Sequence, residues 1–379
     1  MDYAATTPVD PRVLATMKPY FSEKFGNVSS LHSFGQEAKY AMEEARNNIA
    51  GLIKAESSEI IFTSGGTESN NFAIKGIAFA NRERGRHIIT SAIEHDAVLE
   101  PCKWLKKFGF DITVLPVDKY GLVDPADVEK TIRKDTILVS IMMANNEIGT
   151  IQKIGEIGRI CSRKNVPFHT DAVQAFGKTP IDVEKMHIDL LSASAHKMYG
   201  PKGVGCLYVR KGLKIDPLLH GGGHEFGLRS TTENVAGIVG FGAAAELRKK
   251  EMKPEAKRLT KMRDKLIKNT MKIDHSHLNG HPTLRLPNNA NFWFDFIEGE
   301  SLIMHLDAKG VAASTGSACS SKDLEPSHVL LAIGLRHEQA HGSLRLTLGK
   351  YNTDADVKYV SKVLPEIVEK LRNISPFKR

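Results

Sequence analysis

The sequence has few cysteines and no long apolar run. Four cysteines occur in 379 residues, at positions 102, 161, 206 and 319, and none of them forms a C-x-x-C pair. This excludes a disulfide framework and a zinc ribbon, and it favours a reducing, cytoplasmic setting. No apolar run approaches the length of a membrane span, and the opening MDYAATTPVDPR lacks the basic and apolar regions of a secretory signal peptide.

The sequence also lacks a strong excess of charge of one sign. The net charge is +8, from 52 basic and 44 acidic residues, and basic runs such as Arg248-Lys249-Lys250 are short. No basic stretch is interleaved with aromatic residues, which argues against a nucleic-acid groove. A hydrophobic content of 41% and a charged content of 25% are ordinary for a globular protein. The length predicts one large and one smaller domain.

Residues 166–203 contain two apolar runs that end in polar residues. The first run, residues 166–168, leads to Asp171, and the second, residues 190–195, leads to Lys197. Such runs are typical of buried parallel strands, and ligands of open α/β sheets bind at the carboxyl ends of these strands. A lysine and a carboxylate there suit pyridoxal phosphate (PLP), with the lysine as Schiff-base partner and the carboxylate on the ring nitrogen. An ordinary ion pair is the alternative.

A strand–turn–helix pattern supplies a candidate phosphate site. Residues 59–63 predict a strand, and Gly66 and Thr67 lie between it and a helical run. Glycine allows close backbone approach to an anion, and a helix N-terminus offers unpaired N–H groups. A plain turn capped by Thr67 is the alternative. Ser194 and His196, close to the lysine, are further candidates for binding the phosphate.

Two further predicted strands, residues 87–92 and 137–144, also lead to polar residues. His95 follows the first, where an imidazole could stack on a flat ring and move protons, although it could equally begin a helix without taking part in chemistry. Asn146 follows the second and could bond the ring hydroxyl, although asparagine also forms turns. About seven strands alternate with helices through residue 210, which predicts a mostly parallel α/β sheet.

The last third of the sequence changes to an α+β pattern. Pro254 predicts a break in the helical region that precedes it. Arg345, on an alternating strand, suits a bidentate grip on a carboxylate, with a surface salt bridge as the alternative. Cys319 lies among serines and glycine, so it is a candidate nucleophile on an exposed loop, or else an incidental surface thiol. Residues 1–7 predict an extended arm near a site or an interface.

Taken in order, these motifs resemble the NifS/IscS-like cysteine desulfurases of the class-V aminotransferase family. The matching motifs are AATTP at 4–8, SGGTESN at 64–70, NNEIG at 145–149, DAVQ at 171–174, SAHK at 194–197, SAC at 317–319 and LEPSHVL at 324–330. The resemblance runs over almost the whole chain. Each motif is weak alone, but together they are highly specific. The long loop around Cys319 is similar to that of the IscS-type group.

The resemblance implies a PLP-dependent transferase of fold type I. A large PLP-binding domain of residues 15–252, with a mostly parallel seven-stranded sheet, would be joined by a small α+β domain of residues 1–14 and 253–379. The resemblance further implies a homodimer with shared active sites that converts L-cysteine to L-alanine and a persulfide on Cys319. The sulfur would pass to an iron–sulfur scaffold protein of the IscU type and to sulfur carriers for tRNA thiolation. Cys319 would also be a transient ligand of a [2Fe–2S] cluster shared with the scaffold.

The resemblance also assigns residue roles. Lys197 matches the Schiff-base lysine, Asp171 the partner of the pyridine nitrogen, and His95 the ring-stacking histidine. The other implied cofactor contacts are Asn146 and Gln174 at the ring hydroxyl, Gly66, Thr67, Ser194 and His196 at the phosphate, and Thr232 from the other subunit. Arg345, with Asn146, matches the binding site of the substrate carboxylate.

Three positions depart from the family pattern. Thr231 stands where the family usually has glycine, Val28 replaces a common proline, and Phe226 replaces a usually polar residue. We expect them to alter loop geometry, and Thr231 in particular to bear on the contact that Thr232 makes.

Other functions stay open at this point. A selenocysteine lyase or another fold-type I PLP enzyme would share Lys197 and Asp171, but those reactions do not all need a thiol, so Cys319 favours the desulfurase. A non-catalytic protein that only docks a partner would not need Lys197, Asp171 or Cys319.

Overall fold

The computed structural model describes residues 1–316 and 326–375, and its larger part is built on a seven-stranded sheet. The strands are β1 (Ile60–Thr63), β2 (His87–Ser91), β3 (Asp111–Leu115), β4 (Thr136–Ser140), β5 (Phe168–Asp171), β6 (Leu190–Ser194) and β7 (Gly205–Val209). Their order is β1-β7-β6-β5-β4-β2-β3, and only β7 runs antiparallel to its neighbours. The predicted mostly parallel seven-stranded sheet is confirmed.

Helices cover both faces of this sheet. They are α1 (Pro11–Met17), α2 (Ser33–Ile53), α3 (Gly66–Ala80), α4 (Asp96–Leu105), α5 (Pro125–Thr131), α6 (Ile154–Arg163) and α7 (Val235–Thr270). Ile88 and Ile89 of β2 are both fully buried but belong to different apolar clusters, because successive strand side chains point to opposite faces. One cluster includes Phe72 of α3, and the other includes Ile49 of α2. Burial on both faces explains why the strands form continuous apolar runs.

The prediction of a break at Pro254 is wrong, because α7 is a single helix of 36 residues that contains this proline. A proline inside a helix costs about 3 kcal/mol. Packing offsets this cost on both sides of the proline. Met252 is buried before it in the sequence, and Leu259 and Leu266 are buried after it. Arg258 also donates to the main-chain oxygen of Asn352 at 2.6 Å.

The smaller part of the molecule is a three-stranded antiparallel sheet with helices against it. The strands are β8 (Ser276–Asn279), β9 (Asn289–Phe294) and β10 (Ser343–Thr347), in the order β10-β9-β8. The helices are α8 (Gly299–Asp307), α9 (His328–Ala332), α10 (His337–His341) and α11 (Asp354–Ile374). On the side of β10 away from β9, Asp2 bridges Thr347 and Ser314 bridges Arg345. The first residues of the chain therefore lie against its last strand.

The helices found among residues 1–316 and 326–375 include none that is both long enough and apolar enough to span a membrane.

Candidate active site

A cavity of about 210 Å³ lies where strands of the large sheet meet residues 1–7 and β10. Every predicted site residue within the described part of the chain lines it, except Thr232. A single water needs roughly 10–15 Å³ by the same kind of measure, so the space suits a larger ligand. The expectation that strand ends gather the polar residues in one place is confirmed.

Asp171 ends β5 and is held at both carboxylate oxygens. Asn70 of α3 donates from Nδ2 to Oδ2 at 2.7 Å, and the main-chain N–H of Val173 donates to Oδ1 at 2.9 Å. Hydrogen bonds to a charged group are strong and directional, so the carboxylate is held in one orientation at the cavity wall. The sequence analysis missed Asn70, although it closes the SGGTESN motif one helical turn after Thr67.

Lys197 follows β6 in a short 3₁₀ turn, Ala195–Lys197. Its Nζ donates to the main-chain oxygens of Ala4 at 2.6 Å and Ala5 at 2.8 Å. The arm of residues 1–7 thus reaches the site, as predicted, and it supplies backbone acceptors that no side-chain motif could reveal.

Gln174 presents its amide N–H to the cavity side because its oxygen is already engaged. Lys178 Nζ donates to Gln174 Oε1 at 3.1 Å, and Gln174 Nε2 donates to the oxygen of Ala4 at 2.9 Å. Burial, together with the charge of Lys197, lowers the pKa of Lys178 to about 7. Lys178 was not among the predicted site residues; it lies four residues after Gln174, in the irregular turn that follows β5.

His95 both caps a helix and lines the cavity. Its Nδ1 accepts from the main-chain N–H of Ala97 at 3.0 Å, at the start of α4. A ring nitrogen that accepts carries no proton, so the neutral imidazole holds its proton on Nε2. The two alternatives left open by the sequence, a helix cap and a cofactor contact, are compatible in the structure.

The candidate phosphate site is the N-terminus of α3. The cap residue Gly65 has φ of +154° and no side chain bonds the first turn, so its N–H groups remain for an anion. A Cβ on Gly66 would lie 2.6 Å from Val173 Cγ2, so glycine is required there. Ser194 lines the same cavity from the end of β6.

His196 completes this side of the cavity as a neutral imidazole. Its Nδ1 lies 3.1 Å from the hydroxyl of Thr6. Burial, reinforced by Lys197 and Lys202, lowers the pKa of His196 to about 4. At neutral pH it can therefore donate one N–H to an anion without adding charge.

Arg345 is buried on β10 and reaches the opposite wall. Its Nη1 donates to the main-chain oxygen of Asn146 at 3.0 Å, and its Nη2 donates to Asp2 Oδ1 at 3.1 Å. Among the described residues, Arg345 Nε and Asn70 Oδ1 are buried without a hydrogen-bond partner. Buried polar atoms nearly always have a hydrogen-bond partner, so unpartnered ones on opposite walls of a cavity indicate a site for a polar ligand.

One described site residue, Thr232, does not line this cavity. Thr232 is exposed in the loop before α7, and its main-chain oxygen accepts from the Thr231 hydroxyl at 3.2 Å. The same loop is tied to α3 by Arg229, which bonds both carboxylate oxygens of Glu68 at 2.7 and 2.9 Å. Cys319 lies outside the described residues.

The structure also describes Phe226 and Val28, the other two residues that depart from the family pattern. Phe226 is exposed, has φ of 60° and lies over the guanidinium of Arg46. Val28 is buried. Neither residue lines the cavity.

The residues present fit pyridoxal phosphate. An uncapped helix N-terminus behind glycines suits a phosphate, and an oriented carboxylate suits a protonated ring nitrogen. A lysine with its amine inside the cavity suits an aldehyde.

Comparisons with known proteins agree with this fit. Residues 1–360 match the family described as aminotransferase class-V. The chain is 60% identical to a cysteine desulfurase IscS of Methanosarcina thermophila, over 99% of this chain and 93% of that protein. It is 59% identical to the IscS of Dictyoglomus turgidum, over 100% of this chain and 96% of that protein.

Solved structures give the same picture. A NifS-like protein superposes with a TM-score of 0.92 at 44% identity, covering 98% of this chain and 99% of that one. SspA in complex with cysteine superposes with a TM-score of 0.83 at 40% identity, covering 93% and 99%.

Proposed function

The chain belongs to the aminotransferase class-V family, and from that premise we propose how its residues share the work of a cysteine desulfurase. It is a PLP-dependent enzyme that removes the sulfur of L-cysteine, leaves L-alanine and supplies sulfur for iron–sulfur clusters. The observation that carries the proposed roles is one cavity that joins Lys197 and Asp171 to an arginine suited to an α-carboxylate.

Each part of the cofactor has a holder in this proposal. Asp171 holds the ring nitrogen, Lys197 the aldehyde and His95 the ring face. Gln174 and Asn146 hold the ring hydroxyl, and Gly66, Thr67, Ser194 and His196 hold the phosphate. When bound, PLP supplies the electron sink that lets the Cα proton of the substrate leave.

Proton transfer falls to two residues. Lys197 Nζ, held in the cavity by the oxygens of Ala4 and Ala5, takes the Cα proton of the substrate. His95 holds a proton on Nε2, because its Nδ1 accepts from Ala97, so it acts as the acid. Arg345 binds the substrate carboxylate, with Asn146 beside it.

We assign the attack on the substrate sulfur to the Cys319 thiolate. As the S–S bond forms, the Cβ–S bond of the substrate breaks, its electron pair stays with the carbon skeleton, and protonation at Cβ leads to alanine, while the sulfur remains on Cys319 as a persulfide. Support comes from the described segment that precedes it: Ser314 pairs with Arg345 on β10, five residues before the cysteine. The acceptors in this proposal are an IscU-type scaffold protein and sulfur carriers for tRNA thiolation. A [2Fe–2S] cluster on the scaffold would take Cys319 as a transient ligand.

We propose a homodimer with shared sites, supported by an exposed apolar surface. Leu31 is 92% exposed and Phe25 70% exposed, and the rings of Phe25 and Phe34 lie 5.5 Å apart. Contiguous exposed apolar groups on a folded protein usually mark an interface. Phe226 is also exposed, in the loop that leads to Thr232, which would place Thr232 for donation to the partner's phosphate site.

The domain division and the cellular setting are also proposals. An apolar cluster formed by residues 259–371 supports a small domain of residues 1–14 and 253–379, distinct from the large domain of residues 15–252. The proposed boundary falls inside the continuous helix α7. Cys102, Cys161 and Cys206 are free and buried, which supports a reducing cytoplasm.

The test is to incubate the purified protein, loaded with PLP, with L-cysteine and a thiol reductant, while alanine and sulfide are measured together. We expect equal amounts of both, and a visible cofactor band that shifts when cysteine is added. A band without either product would keep the cofactor site and contradict the proposed reaction. Selenocysteine, tested in parallel, measures the selenocysteine lyase alternative directly.

A further inference from the structure

We propose that Asp2 is the resident counter-ion of Arg345 and sets how tightly the site holds an α-carboxylate. The inference rests on the proposed role of Arg345 as the substrate-carboxylate residue. It concerns the ligand specificity of the same cavity. It assigns a function to Asp2, which lies outside all of the sequence motifs that predicted the site.

The contacts of Arg345 carry this proposal. Its side chain is 2% exposed, and its ion-pair partner is Asp2, whose side chain is 21% exposed. The only other hydrogen-bond acceptor recorded for its guanidinium within the described residues is the neutral main-chain oxygen of Asn146. The negative charge that faces the buried guanidinium of Arg345 is therefore the carboxylate of Asp2, in the arm of residues 1–7.

Asp2 is itself held in place. Its Oδ2 accepts from the hydroxyl of Ser314 at 2.9 Å, while Oδ1 accepts from Arg345 at 3.1 Å. The backbones on either side are paired with β10, Asp2 with Thr347 and Ser314 with Arg345. Asp2 is therefore a fixed partner, and an incoming carboxylate meets a guanidinium that is already compensated.

A second carboxylate at Arg345 meets opposing effects. The guanidinium has five N–H donors, and Nε is still unpartnered, so donors remain for the substrate. The charge of Asp2, however, repels a second anion and weakens the field of the arginine, and this repulsion is strong where side chains are buried. Asp2 would thus lower the affinity for carboxylates, which favours release of the product alanine at the cost of weaker substrate binding.

The decisive variant is Asp2→Asn, which removes the charge while its single amide oxygen can still accept from Arg345 and its Nδ2–H can donate to the Ser314 hydroxyl. We expect the KM for L-cysteine and the inhibition constant of L-alanine to fall together, by about three- to tenfold. Cysteamine lacks the carboxylate, so its dissociation constant, measured by titrating the visible cofactor band, should not change. A change confined to ligands with a carboxylate is not what a merely structural tie would produce.

Asp10→Asn is the matched control. Asp10 also lies near the start of the chain, but among the described residues its ion-pair partners are Arg12 and Lys350 and not Arg345. We expect this variant to keep the wild-type constants for all three ligands.

Two results would overturn the inference. Asp2→Asn could leave the constants for L-cysteine and L-alanine unchanged, or it could weaken all three ligands alike, which would make Asp2 a structural tie. Arg345→Lys separates this from failure of the proposed function. If Arg345→Lys weakens L-cysteine and L-alanine but not cysteamine, the role of Arg345 stands and only Asp2 is in question. If it weakens neither, the proposed carboxylate site itself is wrong.

Discussion

The two walls of the cavity are built differently. The cofactor wall comes from the carboxyl ends of β5 and β6 and the start of α3, which adjoin in one sheet layer. The substrate wall comes from Ala4 and Ala5 of the arm and from Arg345 on β10, which meet only because the ends of the chain come together. The bond between Asp2 and Arg345 spans 343 positions of sequence, whereas that between Asn70 and Asp171 spans 101.

This difference separates two kinds of information. On the cofactor wall, each group follows a strand or opens a helix, so local patterns indicate it. On the substrate wall, a charge is compensated across the fold, and no local pattern encodes the partner. Variants of the first wall should therefore act on cofactor retention, and variants of the second on the constants for amino-acid ligands.

Lys197→Ala should break the cofactor wall most completely. The variant loses both the covalent partner of the cofactor and the base for the Cα proton, so we expect alanine formation to fall at least about 10³-fold. The visible band of the lysine-bound cofactor should disappear. An alanine rate within tenfold of wild type would show that another group is the base.

Cys319→Ala should separate catalysis from cofactor retention. We expect wild-type PLP content and a band that still shifts with L-cysteine, because the cofactor wall is intact, but no sulfide release above background. The buried Cys206→Ala is a suitable control for loss of a thiol, since burial raises the pKa of Cys206 well above the usual range and leaves it unreactive. Normal turnover by Cys319→Ala would rule out its role.

Asn70→Ala should weaken the cofactor wall alone. It removes a hydrogen bond of 2.7 Å to the Asp171 carboxylate, and bonds to charged groups contribute about 1.5–3 kcal/mol. We expect the dissociation constant of PLP, measured by equilibrium titration of the apoprotein, to rise about tenfold or more. The KM for L-cysteine of the fully loaded enzyme should change little.

The neighbouring Asn71→Ala is the control for Asn70, because Asn71 donates to the Thr67 main-chain oxygen and does not line the cavity. Equal loss of PLP in both variants would point to damage of α3 rather than of Asp171.

Glu94→Gln should have the smallest effect on catalysis, and it should change how the stability of the protein depends on pH. Glu94 is buried behind the cavity, where its Oε1 accepts from Ser91 and from the Met142 N–H. Burial raises the pKa of Glu94 from 4.5 to about 8. A raised pKa in the folded state gives stability that is complete below pH 4.5 and is lost as the pH rises towards 8.

The amide introduced by Glu94→Gln cannot titrate, so the variant should lose this part of the pH dependence. Relative to wild type, we expect its free energy of unfolding to increase between pH 5 and pH 8.5, by a few kcal/mol at most at about 1.4 kcal/mol per pH unit. Thermal unfolding at the two pH values measures the difference. Parallel pH curves for the two proteins would mean that Glu94 is already ionised in the fold.

Most of the fold and of the cofactor wall could be predicted from sequence. The apolar runs of β5 and β6 ended near Asp171 and Lys197, and the glycines before α3 marked its uncapped N-terminus. The prediction of a break at Pro254 failed because packing of Met252, Leu259 and Leu266 outweighs the local cost of proline. Asn70 was missed because its role depends on Asp171, 101 residues away, and Lys178 because the irregular turn at residues 173–178 has no periodic pattern that pairs it with Gln174.

The sequence by itself determined the family, the alternation of strands and helices, and most of the residues that line the cavity, because these follow from periodicity and from motifs of a few adjacent residues. Only the tertiary structure decided that the oxygens of Ala4 and Ala5 hold Lys197, that Lys178 orients Gln174, and that Asp2 compensates Arg345. The contacts of Lys197 and of Asp2 join segments far apart in the chain, whereas that of Lys178 with Gln174 spans four residues in an irregular turn. Their geometry depends on how the two sheets close around the cavity, which no local pattern of residues specifies.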